Sequence, residues 1–357
     1  MGLALAALST VVAVALAELA LRALPEPEVI RFEQADGFAQ EIGATWEAFQ
    51  PDPELFWSPV PGLTATDRSG PFVGLLANAA GLREAREIPF EKPEGEVRIL
   101  FLGDSQTFGW NLPHDQTFVH YAERELRARL PGRAIVCINA GVIGYSLFQG
   151  WRFFEERGRA FQPDLVVLNF GFNDKSDWDG LSDLEHYEQA RAERPVAPLH
   201  HSELARRIWR LFAPRWDERP ESERKLRVSP REFRMLLEAF EQRLAESGVE
   251  FLLLIAAERA NGIPEGLSAV SRYQHEQYRF ADARRFPPDG APPYVDGVQL
   301  VRRLVGEHEL DELFFDLVHP TAFLNREVAQ ILADKITPWL HTRREPAEAR
   351  EPAEQSG

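Results

Sequence analysis

The sequence predicts an α/β domain built on a parallel sheet with helices on both faces. Short apolar runs recur at Val97 to Leu102, Ala134 to Asn139, Asp164 to Phe170 and Val249 to Ala256. Each has the length of a strand and is apolar at successive positions, as strands buried on both sides are. Between them lie longer stretches with apolar residues at helical spacing, the crossovers that parallel strands require.

Composition sets the limits. The chain has 357 residues and 44% apolar content, enough for a sizeable core and too apolar for a disordered protein. A net charge of −16 argues against nucleic acid as a partner, since its phosphates would be repelled. The single cysteine, Cys137, excludes an internal disulfide and, within an apolar run, reads as a buried, inert thiol.

Residues 1–24 open the chain with no charged side chain before Glu18. The run reaches the lower limit of a membrane-spanning helix, about 17–25 residues, and is expected to be an uncleaved membrane anchor. A cleaved signal sequence is the alternative, with Ala15-Leu16-Ala17 as its small-residue site, although no Lys or Arg precedes the run. Glu18 and Arg22, four apart, can pair on a helix. Counting Lys and Arg does not fix the orientation.

Residues 25–95 form an approach segment punctuated by Pro51, Pro53, Pro59, Pro61 and Pro93. Its Trp46, Phe56 and Trp57 suggest that it packs on the domain that follows. That domain spans residues 96–341. After the first strand, a helix is expected from Phe118 to Leu130, stopped by Pro131-Gly132. The second strand precedes a helix from Leu147 to Phe161, stopped by Pro163. After the third strand, residues 177–227 are a charged insertion, read as a lid. Ser229 caps a helix to Ser247, with Pro230 at its first position. Following the fourth strand, a helix is expected from Gly266 to Ala283, a short fifth strand at Tyr294-Val295, and a last helix from Ala322 to Leu340. Residues 342–357 read as a disordered tail.

In a parallel sheet, sites form at the carboxyl ends of the strands. Gly103-Asp104-Ser105 follows the first strand, Gly141 the second, and Gly171-Phe172-Asn173-Asp174 the third. Asp316-Leu317-Val318-His319 precedes the last helix. Together these supply a serine nucleophile (Ser105), oxyanion donors (Ser105, Gly141 and Asn173) and an Asp316–His319 pair in which the carboxylate orients the imidazole. Asp174 is read as structural, supporting the turn that presents Asn173. Ser105 alone would read as a helix cap, and a lone Asp–His pair as structural. Their order along the chain carries the argument. Other chemistries fail on spacing. Thr107 breaks G-x-S-x-G, no P-loop or G-x-G-x-x-G is present, and His200-His201 has no metal-ligand spacing.

These four blocks resemble those of the SGNH (GDSL-type) hydrolases, which supply Ser, Gly, Asn and His in this order. Gln106 stands where the family's name has Leu, outside the catalytic set. The resemblance covers about Val97 to Leu340. It implies a flavodoxin-like three-layer α/β/α sandwich and Ser-His-Asp acyl chemistry with no metal or cofactor. Pro51-Asp52-Pro53-Glu54-Leu55 and Asn78-Ala79-Ala80-Gly81-Leu82-Arg83 resemble the approach segment of bacterial members with an N-terminal anchor. That likeness implies a catalytic domain facing away from the cytoplasm.

The expected function is a serine esterase that removes a short acyl group, acetyl on a carbohydrate being the narrower expectation. Acyl transfer onto a polysaccharide through the same acyl-enzyme is the first alternative, and a catalytically silent envelope binding module the second. Oligomeric state is not legible.

Overall fold

The computed structural model describes residues 2–23, 48–63, 74–177, 180–192, 202, 204–205, 208, 221–263 and 270–343. The expected tail from 344 on lies outside them, as do His200-His201 and most of the proposed lid.

Helix α1 (Gly2–Arg22) is followed by an antiparallel hairpin of β1 (Phe49–Asp52) and β2 (Phe56–Pro59). The domain then alternates β3 (Val97–Gly103), α2 (Ser105–Phe108), α3 (Phe118–Arg129), β4 (Ile135–Gly141), α4 (Leu147–Glu156), β5 (Leu165–Asn169), α5 (Asp183–Ala192), α6 (Pro230–Glu246), β6 (Glu250–Ile255), α7 (Arg272–Asp282), β7 (Tyr294–Asp296), α8 (Gly297–Leu304), α9 (Leu310–Leu313) and α10 (Ala322–Thr342). The sheet runs β4-β3-β5-β6-β7, and every neighbouring pair is parallel. This is the flavodoxin-like order, and its topological switch point lies between β3 and β5.

Alternation along β3 divides the core into two layers. Leu100 and Leu102 pack with Phe154 of α4, Phe240 of α6 and Phe280 of α7. Ile99 and Phe101 pack with Leu126 of α3, Val301 of α8 and Ile336 of α10. Cys137 is buried in the second layer, as expected.

Several boundaries differ from the sequence expectation. The helix expected to reach Phe161 ends at Glu156 and passes into a 3₁₀ turn over Gly158–Phe161. A glycine in the path weakens helix continuation. The helix expected from Gly266 begins at Arg272, where the Ser271 hydroxyl caps the Gln274 N–H; residues 264–269 are not described. Helices α5, α8 and α9 and the β1–β2 hairpin were not foreseen, being short and closely joined to their neighbours.

Among the described residues no helix is long and apolar enough to cross a membrane; the side chains of α1 are described from Ser9 on. The expected Arg22–Glu18 pair forms at 2.9 Å. Glu18 also accepts from the Ser202 hydroxyl and the Leu204 N–H.

Strand β4 is an outer edge of the sheet, and most of its outward polar groups are taken by neighbouring groups. Arg127 Nε donates to the Ile135 carbonyl, and the Cys137 N–H donates to Glu123 Oε2. Arg86 reaches the Cys137 carbonyl, and the Asn139 N–H donates to Glu84 Oε1. The Arg83 N–H donates to the Asn139 carbonyl. The approach segment is thereby fastened along this edge, and its Phe49, Phe56 and Trp57 enter the first core layer.

Candidate active site

Ser105 lies two residues past the end of β3, at the first position of α2. The Asp104 carboxylate turns the chain there by accepting the Gln106 N–H at 2.9 Å. The loop before α10 brings His319 to it, with Nε2 2.8 Å from Ser105 Oγ. His319 Nδ1 lies 2.7 Å from Asp316 Oδ2. The other oxygen, Oδ1, accepts the N–H groups of Val318 and His319 at 2.8 Å each, which fixes the carboxylate across one turn.

Burial alone would raise the Asp316 pKa, but the hydrogen bonds from the His319 ring and from these two N–H groups outweigh it and hold the carboxyl at about 2. An ionised carboxylate only accepts, so His319 Nδ1 carries the proton and Nε2 is left to accept from Ser105. Trp110 stacks on the imidazole, with ring centroids 5.0 Å apart and planes at 19°. Sequence reasoning passed over Trp110, because nothing in its spacing separates it from a core aromatic.

Asn173 begins the turn after β5, at the switch point. Its Nδ2 donates at 3.2 Å to Asp104 Oδ2 and at 3.2 Å to the Tyr145 carbonyl. Burial pushes the Asp104 carboxyl up to about 6, partly offset by the Gln106 N–H and the nearby His319. Asp174 has the supporting position expected of it. Its Oδ2 accepts the Gly171 N–H at 3.0 Å and its Oδ1 the Leu147 N–H at 2.9 Å.

Gly141 is placed differently from the expectation. In a parallel ladder alternate residues direct their N–H groups to opposite sides, and Gly141 falls in phase with Cys137 and Asn139, facing the outer edge. Its N–H donates to Asn139 Oδ1 at 3.0 Å. The reason for glycine is close packing, since a Cβ there would lie 2.4 Å from the Phe108 backbone nitrogen.

Three residues on stands a second glycine, Gly144. It is buried, at a φ of +78° that side-chain-bearing residues rarely adopt. Among the described residues its N–H donates to no other group, and the same holds for the Ser105 N–H. Its neighbour Tyr145 accepts the Asn173 amide. The sequence signal for Gly144 was a second glycine in Gly141-Val142-Ile143-Gly144, which spacing alone does not rank above the first.

Residues 101–323 match the GDSL-like lipase/acylhydrolase family. The chain belongs to that family. It is an ester-hydrolysing enzyme, and the parallel sheet with flanking helices is the fold that the resemblance implied. Similar solved structures include an acetyl xylan esterase at 18% identity and TM-score 0.44, covering 67% of this chain and 98% of that one. An acetylxylan esterase from Geobacillus stearothermophilus is 17% identical with TM-score 0.46, covering 69% and 96%. A lipase/acylhydrolase from Enterococcus faecalis is 16% identical with TM-score 0.43, covering 68% and 95%. No curated protein matches the chain.

Proposed function

We propose that this enzyme hydrolyses a short acyl ester through an acyl-enzyme on Ser105. The observation that carries the reading is the unbroken relay from Ser105 Oγ through His319 to Asp316, at 2.8 and 2.7 Å. Ser105 Oγ attacks the ester carbonyl carbon, and its proton passes to His319 Nε2. The N–H groups of Ser105 and Gly144 receive the oxyanion. The Asn173 amide joins them by trading one of its long 3.2 Å bonds for a charge-assisted one. As the carbonyl re-forms, the C–O bond to the leaving group breaks and His319 protonates the departing oxygen. Water then attacks the acyl carbon as His319 Nε2 takes its proton, the bond to Ser105 Oγ breaks, His319 returns the proton to Oγ, and the acid is released.

The nucleophile and imidazole are only 5% and 8% exposed, and Trp110 covers the ring, which favours a short acyl group. Phe315 and Leu317 are exposed on either side of Asp316, an apolar rim on which a sugar face can stack; acetyl on a carbohydrate is the narrower form of the proposal. Reaction of the full chain with an activated acetyl ester, quenched and mapped by peptide mass, should show acetyl on Ser105. Turnover without any acetyl on Ser105 would overturn the reading. With an acetylated oligosaccharide and an unacetylated acceptor present, free acetate is expected, whereas acetylated acceptor would establish transfer instead.

The N-terminal segment belongs to the same proposal as a membrane anchor, with the catalytic domain outside the cytoplasm. Helix α1 exposes Val11, Val12, Val14, Leu16 and Leu19 around more than half of its circumference, apolar surface that water does not favour. Full-length protein should stay with membranes through alkaline carbonate, and a chain beginning at Pro25 should not. Full-length protein found wholly in the soluble fraction would contradict the anchor.

A further inference from the structure

Gly144 lies between two peptide groups, and each is held from outside the catalytic blocks. The carbonyl of Ile143 accepts the Trp57 indole N–H at 2.9 Å. The carbonyl of Gly144 accepts Arg227 Nη1 at 2.7 Å. Arg227 is itself fixed by a buried pair with Asp183, its Nε 2.9 Å from Oδ1. Trp57 is held in return, because the Tyr145 hydroxyl donates to its carbonyl at 2.6 Å and the two rings meet edge to face at 5.5 Å. Phe56, just before it, sits at a φ of +69°, in the left-handed region that residues with a side chain seldom adopt.

The Ile143 carbonyl and the Gly144 N–H belong to one planar trans peptide and point in opposite directions. Whatever grips that carbonyl aims that N–H. We propose that Trp57 is a positioning residue for oxyanion stabilisation: its indole N–H fixes the Ile143–Gly144 peptide so that the Gly144 N–H faces the ester oxygen. A donor on the carbonyl also polarises the peptide, making its N–H a stronger donor. Trp57 lies in the approach segment, outside the region matched to the family, so the hairpin is part of the catalytic apparatus. The inference rests on the acyl-enzyme reading above.

The test is Trp57→Phe in the full chain, with active sites titrated by a fluorophosphonate so that misfolded protein is not counted. kcat per active site should fall about tenfold to a hundredfold, below the loss seen when a whole oxyanion donor is removed. KM should stay within about twofold, and the Ki of a boronic acid mimic of the tetrahedral intermediate should rise in step with the loss in kcat/KM. A merely structural role would lower the fraction of active sites and leave kcat per site and Ki unchanged, which would overturn the proposal. Should the Phe variant fail to fold, benzothienylalanine at position 57 keeps the bicyclic shape, replaces the N–H by sulfur, and is expected to give the same losses. Failure of the underlying reading is separable: Ser105→Ala would then retain turnover, whatever happens at Trp57.

Discussion

Strand β4 and the loop that follows it treat their backbone polar groups in opposite ways. Along the strand the Ile135 carbonyl, both polar groups of Cys137 and Asn139, and the Gly141 N–H are taken by groups of the approach segment, α3 or the strand itself. At Gly144 the buried N–H has no partner among the described residues, although both flanking carbonyls are gripped. A buried donor left unmade costs about 1–3 kcal/mol. The fold spends several side chains to avoid that cost on the edge, whereas on the proposed reading the Gly144 N–H is kept for the substrate oxygen. On that reading the edge serves stability and the loop serves chemistry.

Substitutions at the two regions should therefore separate rate from stability. Ser105→Ala should lower kcat by about 10³–10⁶-fold with little change in Tm, read by ester hydrolysis. Asn173→Ala should lower kcat by about 10²–10³-fold through lost oxyanion stabilisation; an unchanged rate would remove Asn173 from the site. Glu123→Ala belongs to the other region. It strips the partner from the Cys137 N–H and from Arg86, and should cost about 1–3 kcal/mol in chemical denaturation while kcat per active site is unchanged.

Glu84→Gln sharpens the contrast most finely. Burial raises the Glu84 carboxyl from 4.5 to about 7, against the opposing effect of its hydrogen bond from the Asn139 N–H. A raised carboxyl pKa means that the folded state binds the proton more tightly than the unfolded state. Stability from this group is thus greatest below about 4.5 and declines as the pH rises towards about 7. Gln keeps the oxygen that accepts from Asn139 and cannot ionise, so the variant's Tm should fall less between those pH values. An identical Tm–pH curve for both proteins would contradict the assignment.

What the sequence made legible follows from where the chemistry resides. In the proposed mechanism Ser105, Asn173, Asp316 and His319 act through side chains, and residue type with order along the chain was enough to pick out residues that the fold brings together. The strands were legible because their apolar runs end where the polar rim begins. The choice between Gly141 and Gly144 was not legible, because the direction of a backbone N–H is set by strand pairing and the residue name is the same. Nor were Trp57 and Arg227. Each meets the Gly144 loop across more than 80 residues of sequence, at contacts 86 and 83 residues apart, and no local pattern encodes such a pairing.

The central claim is an assembled nucleophile, and the most direct measurement is labelling of the full chain with a serine-reactive fluorophosphonate, the modified residue being mapped by mass spectrometry. The account predicts a single adduct on Ser105, with labelling suppressed at least tenfold in folded His319→Ala because Nε2 no longer accepts the Ser105 proton. Folded wild-type protein that stays unlabelled, or labelling at Ser105 that is indifferent to the loss of His319, would contradict it.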